Sequence, residues 1–102
     1  ALSRGLAKHL KGTNVTVNAI LPGPTLAEGT DKMFEDISKE KGISIAEAQI
    51  EFIKEKRPSS IIQRWAETEE VANMVVYIAS PLSSATSGAA LRVDGGVVDS
   101  AF

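Results

Sequence analysis

The sequence contains no cysteine and a single histidine, His9. Disulfide bonds, thiolate catalysis and cysteine–zinc sites are therefore excluded, and a cluster of histidine metal ligands is not available. No apolar run approaches the length of a membrane span. Charge of one sign is also missing: eleven basic and thirteen acidic residues leave a net charge of −2. That balance provides no electrostatic footprint for nucleic acid or for an anionic membrane surface. There is no secretory signal and no basic targeting run. A reducing, cytoplasmic setting is the expectation that fits these absences.

What is present describes a globular chain. Its 102 residues suit one domain or part of one, and 43% hydrophobic with 24% charged residues is far from a disordered composition. A chain of this size buries a core only marginally. It opens at Ala1 inside a helical pattern, with no initiator methionine and no capping residue before it. This reads as a cut end and predicts a piece of a longer polypeptide.

Leu2, Leu6 and Leu10 recur on one face and predict an amphipathic helix over 1–11, with Gly12 as its stop. Lys8, His9 and Lys11 suit the negative end of its dipole. Residues 15–21 are apolar and β-branched, and predict a strand covered on both faces and ended by Pro22-Gly23-Pro24. Residues 24–30 read as a loop. A short helix is expected from Asp31 to about Lys41, with Met33, Phe34 and Ile37 inward and Gly42 as breaker. Ser44 with Glu47 is a capping-box pattern opening a helix to about Arg57, stopped by Pro58. Its inward face would carry Ile45, Ala48 and Phe52, widened by Ile50 and Ile53. The loop-like stretch 58–67 holds Ile61, Ile62 and Trp65, which ask for something to pack on. Thr68 is a good N-cap for a helix whose inward face is Val71, Met74, Val75 and Ile78, closed by Ser80-Pro81. A small-polar loop over 82–88 leads to a second strand, Ala89 to Val93, and then Asp94-Gly95-Gly96, a tight-turn signal. Helix, strand, two helices, helix, strand predicts an α/β fold with a parallel sheet. Two strands make a poor sheet by themselves, so the pattern reads as part of a larger one.

Three of these segments share a pattern: Asn14-Val15-Thr16-Val17-Asn18-Ala19-Ile20-Leu21-Pro22-Gly23; Glu69-Glu70-Val71-Ala72 through Tyr77-Ile78-Ala79-Ser80; and Thr86-Ser87-Gly88-Ala89-Ala90-Leu91-Arg92-Val93-Asp94-Gly95-Gly96. In this order and spacing they resemble the C-terminal region of classical short-chain dehydrogenase/reductases, over essentially the whole chain. The resemblance implies the C-terminal part of a Rossmann-type, doubly wound parallel sheet. It implies that residues 1–102 are one portion of a single NAD(P)-binding domain, with a substrate-binding insert at about 26–60. It further implies a parent oxidoreductase that interconverts an alcohol and a carbonyl with NAD or NADP, commonly as a homo-oligomer.

Residue by residue, the resemblance places Pro22 and Gly23 beside the nicotinamide, with backbone groups near Thr25 and Leu26 at its carboxamide. The family often carries threonine four residues after that glycine, where this sequence has Ala27. Met33, Phe34 and Phe52 fall in the insert, as pocket wall or as plain packing. Catalytic residues are missing. The family's tyrosine works with a lysine four residues later, whereas Tyr77 is followed at that distance by Pro81. Its phosphate loop needs glycines spaced by four and then two, and the glycines at 5, 12, 23, 29, 42, 88, 95 and 96 contain no such trio. The chain alone is therefore expected to be inactive. A non-catalytic relative, serving association through the leucine face of the first helix and the last strand, is the alternative.

Overall fold

The computed structural model describes residues 2–98. They form the order α1 (Leu2–His9), β1 (Ala19–Pro22), β2 (Thr25–Leu26), α2 (Thr30–Lys41), α3 (Ile45–Lys56), β3 (Ala66–Glu67), α4 (Thr68–Ala79), a 3₁₀ turn (Pro81–Ser83) and β4 (Ala90–Val93). The fold is α/β with parallel strands, as the alternation of apolar strands and helices predicts. The described residues divide into two compact units, one from 2–22 and 69–93, the other from 23–68 and 94–98.

In the first unit β1 and β4 pair in parallel, with Ala19 opposite Ala90 and Pro22 opposite Val93. The expected strand over 15–21 is thus realised four residues later, and the reason lies in Asn18. Its Nδ2 donates to the Thr86 carbonyl at 3.0 Å and its Oδ1 accepts from the Ala89 amide at 3.1 Å. Ahead of it, the Val17 carbonyl accepts from the Gly88 amide at 2.7 Å, while the Val17 amide donates to Ser87 Oγ at 3.2 Å. Val17 thus bonds to the Gly88 backbone and the Ser87 side chain, Asn18 bonds through its side chain, and the regular ladder starts at Ala19. Gly88 turns with φ 72°, and the Arg4 guanidinium lies where a side chain would stand. The strand is not covered on both faces by the described residues, for Leu21 is 44% exposed. The leucine stripe of α1 is likewise open, with Leu2 86% exposed.

Replacing Asn18 with alanine removes both side-chain bonds and leaves the Ala89 amide and Thr86 carbonyl to find water. A loss of about 1–3 kcal/mol is expected. Hydrogen exchange should show it first at Ala89 and Ala90, where protection should fall.

The second unit holds all the buried apolar residues among the described residues, Phe34, Ala48, Ile53 and Ala66, with Phe34 and Ile53 fully buried. Helices α2 and α3 pack their apolar faces together. Gly42, at φ 67°, ends α2 in the left-handed conformation, and the Ser38 carbonyl accepts from both the Gly42 and Ile43 amides. Ser44 then caps α3 as its spacing predicts, accepting from the Glu47 amide at 3.1 Å, a contact that contributes about 1 kcal/mol. Lys41 and Glu51 approach to 3.7 Å between the two helices, half exposed, and add little. The expected loop at 24–30 contains a short strand instead. Thr25 and Leu26 pair in parallel with Ala66 and Glu67, and the Pro24 carbonyl accepts from the Ala66 amide at 2.9 Å.

Candidate functional site

The carboxyl ends of β1 and β4 lie side by side in the first unit, because the pairing runs in parallel from Ala19–Ala90 to Pro22–Val93. In open α/β sheets this end of the strands is where ligands bind. Pro22 is the last residue of β1 and is exposed. It removes a backbone donor at the point where the strand stops.

The chain continues into the second unit at Gly23, and here the need for glycine is steric. A Cβ at Gly23 would stand 2.6 Å from the Asp94 Cα and 2.8 Å from its Cβ. No ordinary side chain fits that gap. Asp94 in turn opens a tight turn, its Oδ1 accepting from the Gly96 amide at 2.9 Å. Gly95 and Gly96 follow at φ 65° and 80°, a backbone form that other residues adopt at a cost. Their faces are covered by Ile62 and Ile61, which come within 2.6 Å and 2.5 Å of where a Cβ would sit. The Gly95 carbonyl accepts from both the Ile61 and Ile62 amides, at 2.8 and 3.1 Å. The Asp94-Gly95-Gly96 turn is thus a staple holding Gly23 on one side and residues 61–62 on the other. The sequence signals the turn but not its partners.

Thr25 and Leu26 come next. The Thr25 hydroxyl donates to the Gly23 carbonyl at 2.8 Å, tightening the loop on itself. Both residues are half buried, and their backbones lie in the short ladder with β3. The Thr30 hydroxyl donates to the Ala27 carbonyl at 2.7 Å and starts α2. The loop after β1 is therefore pinned at three points: Gly23 on Asp94, Thr25–Leu26 on β3, and Ala27 on Thr30. A pinned loop is what positions a ligand without further ordering cost.

The three aromatic and sulfur side chains expected in the insert are placed differently from one another. Phe34 is 0% exposed and sits edge-on to Phe52 (6.1 Å between centroids, 88°) and to Trp65 (5.3 Å, 82°). Phe52 is half buried and lies 5.4 Å from Trp65. Met33 is 38% exposed on the outer side of α2. Phe34 and Phe52 are brought together in the core of this unit, and Met33 is not among their ring contacts. Trp65, expected to be core, completes the cluster, and its Nε1 donates to the Gln49 carbonyl at 3.2 Å.

On the other side of Trp65 the second unit has a depression of about 240 Å³, lined by Leu26, Ala46, Gln49, Ile50, Arg64, Trp65 and Glu67. Of these only Leu26 is among the individually expected site residues, while Ala46, Gln49 and Ile50 fall within the expected insert at about 26–60. The signal in the sequence was weak: Ile50, expected on the inward face of α3 but 45% exposed, and a tryptophan inside a loop. No group of three or more metal-ligating side chains occurs among the described residues. None of their helices is long and apolar enough to cross a membrane.

Comparison with known proteins agrees with this architecture. Residues 1–98 match a family model described as enoyl-(acyl carrier protein) reductase. The chain is 50% identical over 102 residues to the uncharacterized oxidoreductase YvaG of Bacillus subtilis (strain 168), covering 100% of the chain and 39% of that protein. Among solved structures it superposes on a short chain oxidoreductase from Pseudomonas aeruginosa PAO1 containing an atypical catalytic center, with a TM-score of 0.85 and 28% identity over 98% of the chain and 37% of that structure. It also superposes on L-sorbose reductase from Gluconobacter frateurii, solved with NADPH and L-sorbose, with a TM-score of 0.79 and 29% identity over 97% of the chain and 36% of that structure. The chain therefore spans less than two-fifths of the length of these relatives. Matched along nearly all of its own length by that model and by these proteins, the chain belongs to the short-chain dehydrogenase/reductase family.

Proposed function

We propose that this chain is the C-terminal portion of an NAD(P)-dependent oxidoreductase that interconverts an alcohol and a carbonyl on a small molecule. One observation carries the reading: the exposed Pro22 at the carboxyl end of a parallel strand, followed by a loop locked through Gly23, Thr25 and Ala27. A fixed loop at that end of the strands suits a flat ring laid against backbone. In this proposal Pro22 and Gly23 flank the nicotinamide, and backbone groups of Thr25 and Leu26 meet the carboxamide. With Ala27 in place of threonine, the Thr25 hydroxyl is the nearest side-chain alternative. Its proton is committed to the Gly23 carbonyl, so it would act as an acceptor.

When bound, the nicotinamide supplies or receives the hydride. This chain's part is to hold the ring and to bound the substrate. Residues 26–60 form the substrate insert in the proposal, with Phe34 as buried support and Met33 and Phe52 as the more accessible members. The proton donor and the phosphate-binding glycines are assigned to the portion of the family's length that this chain does not span. A cytoplasmic location and a homo-oligomeric state belong to the same proposal. The family model carries the description of an enoyl reductase, so reduction of a conjugated C=C is the competing chemistry.

The test is a steady-state assay of the full-length protein with NADH and NADPH against ketones, the matching alcohols and conjugated enoyl substrates. Ketone-dependent oxidation of one cofactor, reversed with the alcohol, is expected, and residues 1–102 alone should show none. Turnover confined to enoyl substrates would contradict the carbonyl assignment. Cofactor-independent behaviour in every arm would favour the second reading, a non-catalytic member that associates. That reading draws on the exposed leucines of α1, Leu2 at 86% and Leu6 at 48%. Light scattering on the same preparation reports the mass, and a monomer at high concentration would count against association.

A further inference from the structure

The depression beside Trp65 takes no part in the cofactor loop except through Leu26, and its chemistry is distinctive. Leu26, Ala46, Ile50 and Trp65 make an apolar wall. The indole is held in place by its bond to the Gln49 carbonyl and by ring contacts with Phe34 and Phe52. Arg64 and Glu67 put one charge of each sign at the rim, and both are already engaged within the protein. Arg64 Nη1, for instance, donates to the Trp65 carbonyl at 3.1 Å. Neither is a spare charge for an ionic ligand, and the Glu67 carboxylate disfavours a phosphate. The space of about 240 Å³ lies below the roughly 300–1,000 Å³ of sites that take a whole small molecule. It has room for one neutral, apolar substituent.

We propose that this pocket receives the alkyl tail of the substrate, so that Ala46, Ile50 and Trp65 set the preference for chain length. The inference rests on the hydride-transfer reading, because Leu26 is both a wall of the pocket and a member of the cofactor loop. A chain leaving a carbonyl held at that loop would run along Leu26 onto the indole face. A neutral tail in such a slot gains affinity by burying methylenes, and each is discriminated by about tenfold or more.

Two measurements on the full-length protein separate this inference from the reading beneath it. The first follows the Trp65 indole N–H resonance, assigned with Trp65→Phe, as 2-octanone or 2-butanone is added. A saturable shift with 2-octanone and little or none with 2-butanone is expected. No shift with 2-octanone overturns the pocket, whatever the enzyme turns over. The second compares KM for the two ketones in Ala46→Leu, Ile50→Ala and the surface control Lys11→Ala, which is exposed and lies outside the insert. Ala46 and Ile50 lie on the outer face of α3 and are exposed, so these changes leave the core intact. Ala46→Leu fills the slot and should raise the KM ratio of 2-octanone to 2-butanone by about tenfold. Ile50→Ala should shift the preference towards longer or branched tails, and Lys11→Ala should leave the ratio within twofold. Turnover with an unchanged ratio in both pocket variants overturns the inference while sparing the hydride-transfer reading. An indole shift without turnover of any ketone leaves the pocket standing and removes the reading on which its role depends.

Discussion

Replacing Phe34 with alanine is expected to cost about 3–5 kcal/mol, the largest loss from any single side chain in this region. Phe34 is 0% exposed and meets Phe52 and Trp65 edge-on, with centroids 6.1 and 5.3 Å away. Truncation removes its buried surface, both edge-to-face contacts and the filling of the space between α2 and α3. Phe34→Leu keeps most of the volume and should cost about 1.5 kcal/mol or less. Urea unfolding of the full-length protein, followed by far-UV circular dichroism, measures both. The result also separates two roles. A side chain that served only as pocket wall would alter KM while leaving unfolding unchanged. Phe34 should do the reverse at moderate temperature, with kcat and KM held in whatever fraction remains folded.

Gly23→Ala is the second large effect, and its sign is informative. The added methyl would meet the Asp94 Cα at 2.6 Å and the Asp94 carbonyl oxygen at 3.0 Å, so backbone has to move. A cost of about 1–3 kcal/mol is expected from the overpacking alone. Moving Asp94 also disturbs the bond from the Gly96 amide to its Oδ1 and, through Gly95, the two amides of Ile61 and Ile62. Loss of cofactor affinity should therefore accompany the loss of stability. The same substitution at Gly5 should go the other way. Gly5 lies within α1 with nothing inside 4 Å of a Cβ, and alanine there should add about 0.5–1 kcal/mol. Thermal unfolding of the two variants side by side gives the comparison. Equal effects at the two glycines would mean that the contact with Asp94 does not constrain the loop.

Legibility in the sequence followed the range of the interactions. Ser44 with Glu47, and Gly42 after Lys41, act within a turn or two of chain, and their cap and stop are found where the spacing predicts them. The apolar, β-branched runs that predict β1 and β4 are also local, and their parallel pairing follows from the helices between them. The start of β1 was not readable. Val15-Thr16-Val17 is as β-prone as the residues after it, but the Asn18 amide and the Ser87 hydroxyl take up the neighbouring backbone groups from about 70 positions away. The pairing of Thr25–Leu26 with Ala66–Glu67 was hidden for a similar reason, since two-residue strands have no period to detect. On α2, Met33, Phe34 and Ile37 all had an inward claim. Only Phe34 is fully buried, because Phe52 and Trp65 converge on that one side chain. At the candidate site, Pro22-Gly23 and Asp94-Gly95-Gly96 each announced a turn. That the second is the surface against which the first is locked depends on a contact across 71 residues, and only the folded chain brings it out.

The central claim is that the loop after β1 holds the nicotinamide end of a dinucleotide cofactor. Its most direct test is a titration of the isotopically labelled full-length protein with NADPH and with NADH, following the backbone amides of Gly23, Thr25, Leu26 and Ala27. Adenosine diphosphate serves as the competitor that lacks the nicotinamide ring. Saturable shifts at Thr25 and Leu26 with one reduced cofactor, missing with adenosine diphosphate, are the predicted result. Cofactor binding that perturbs other amides while leaving Gly23 through Ala27 unmoved would contradict the account.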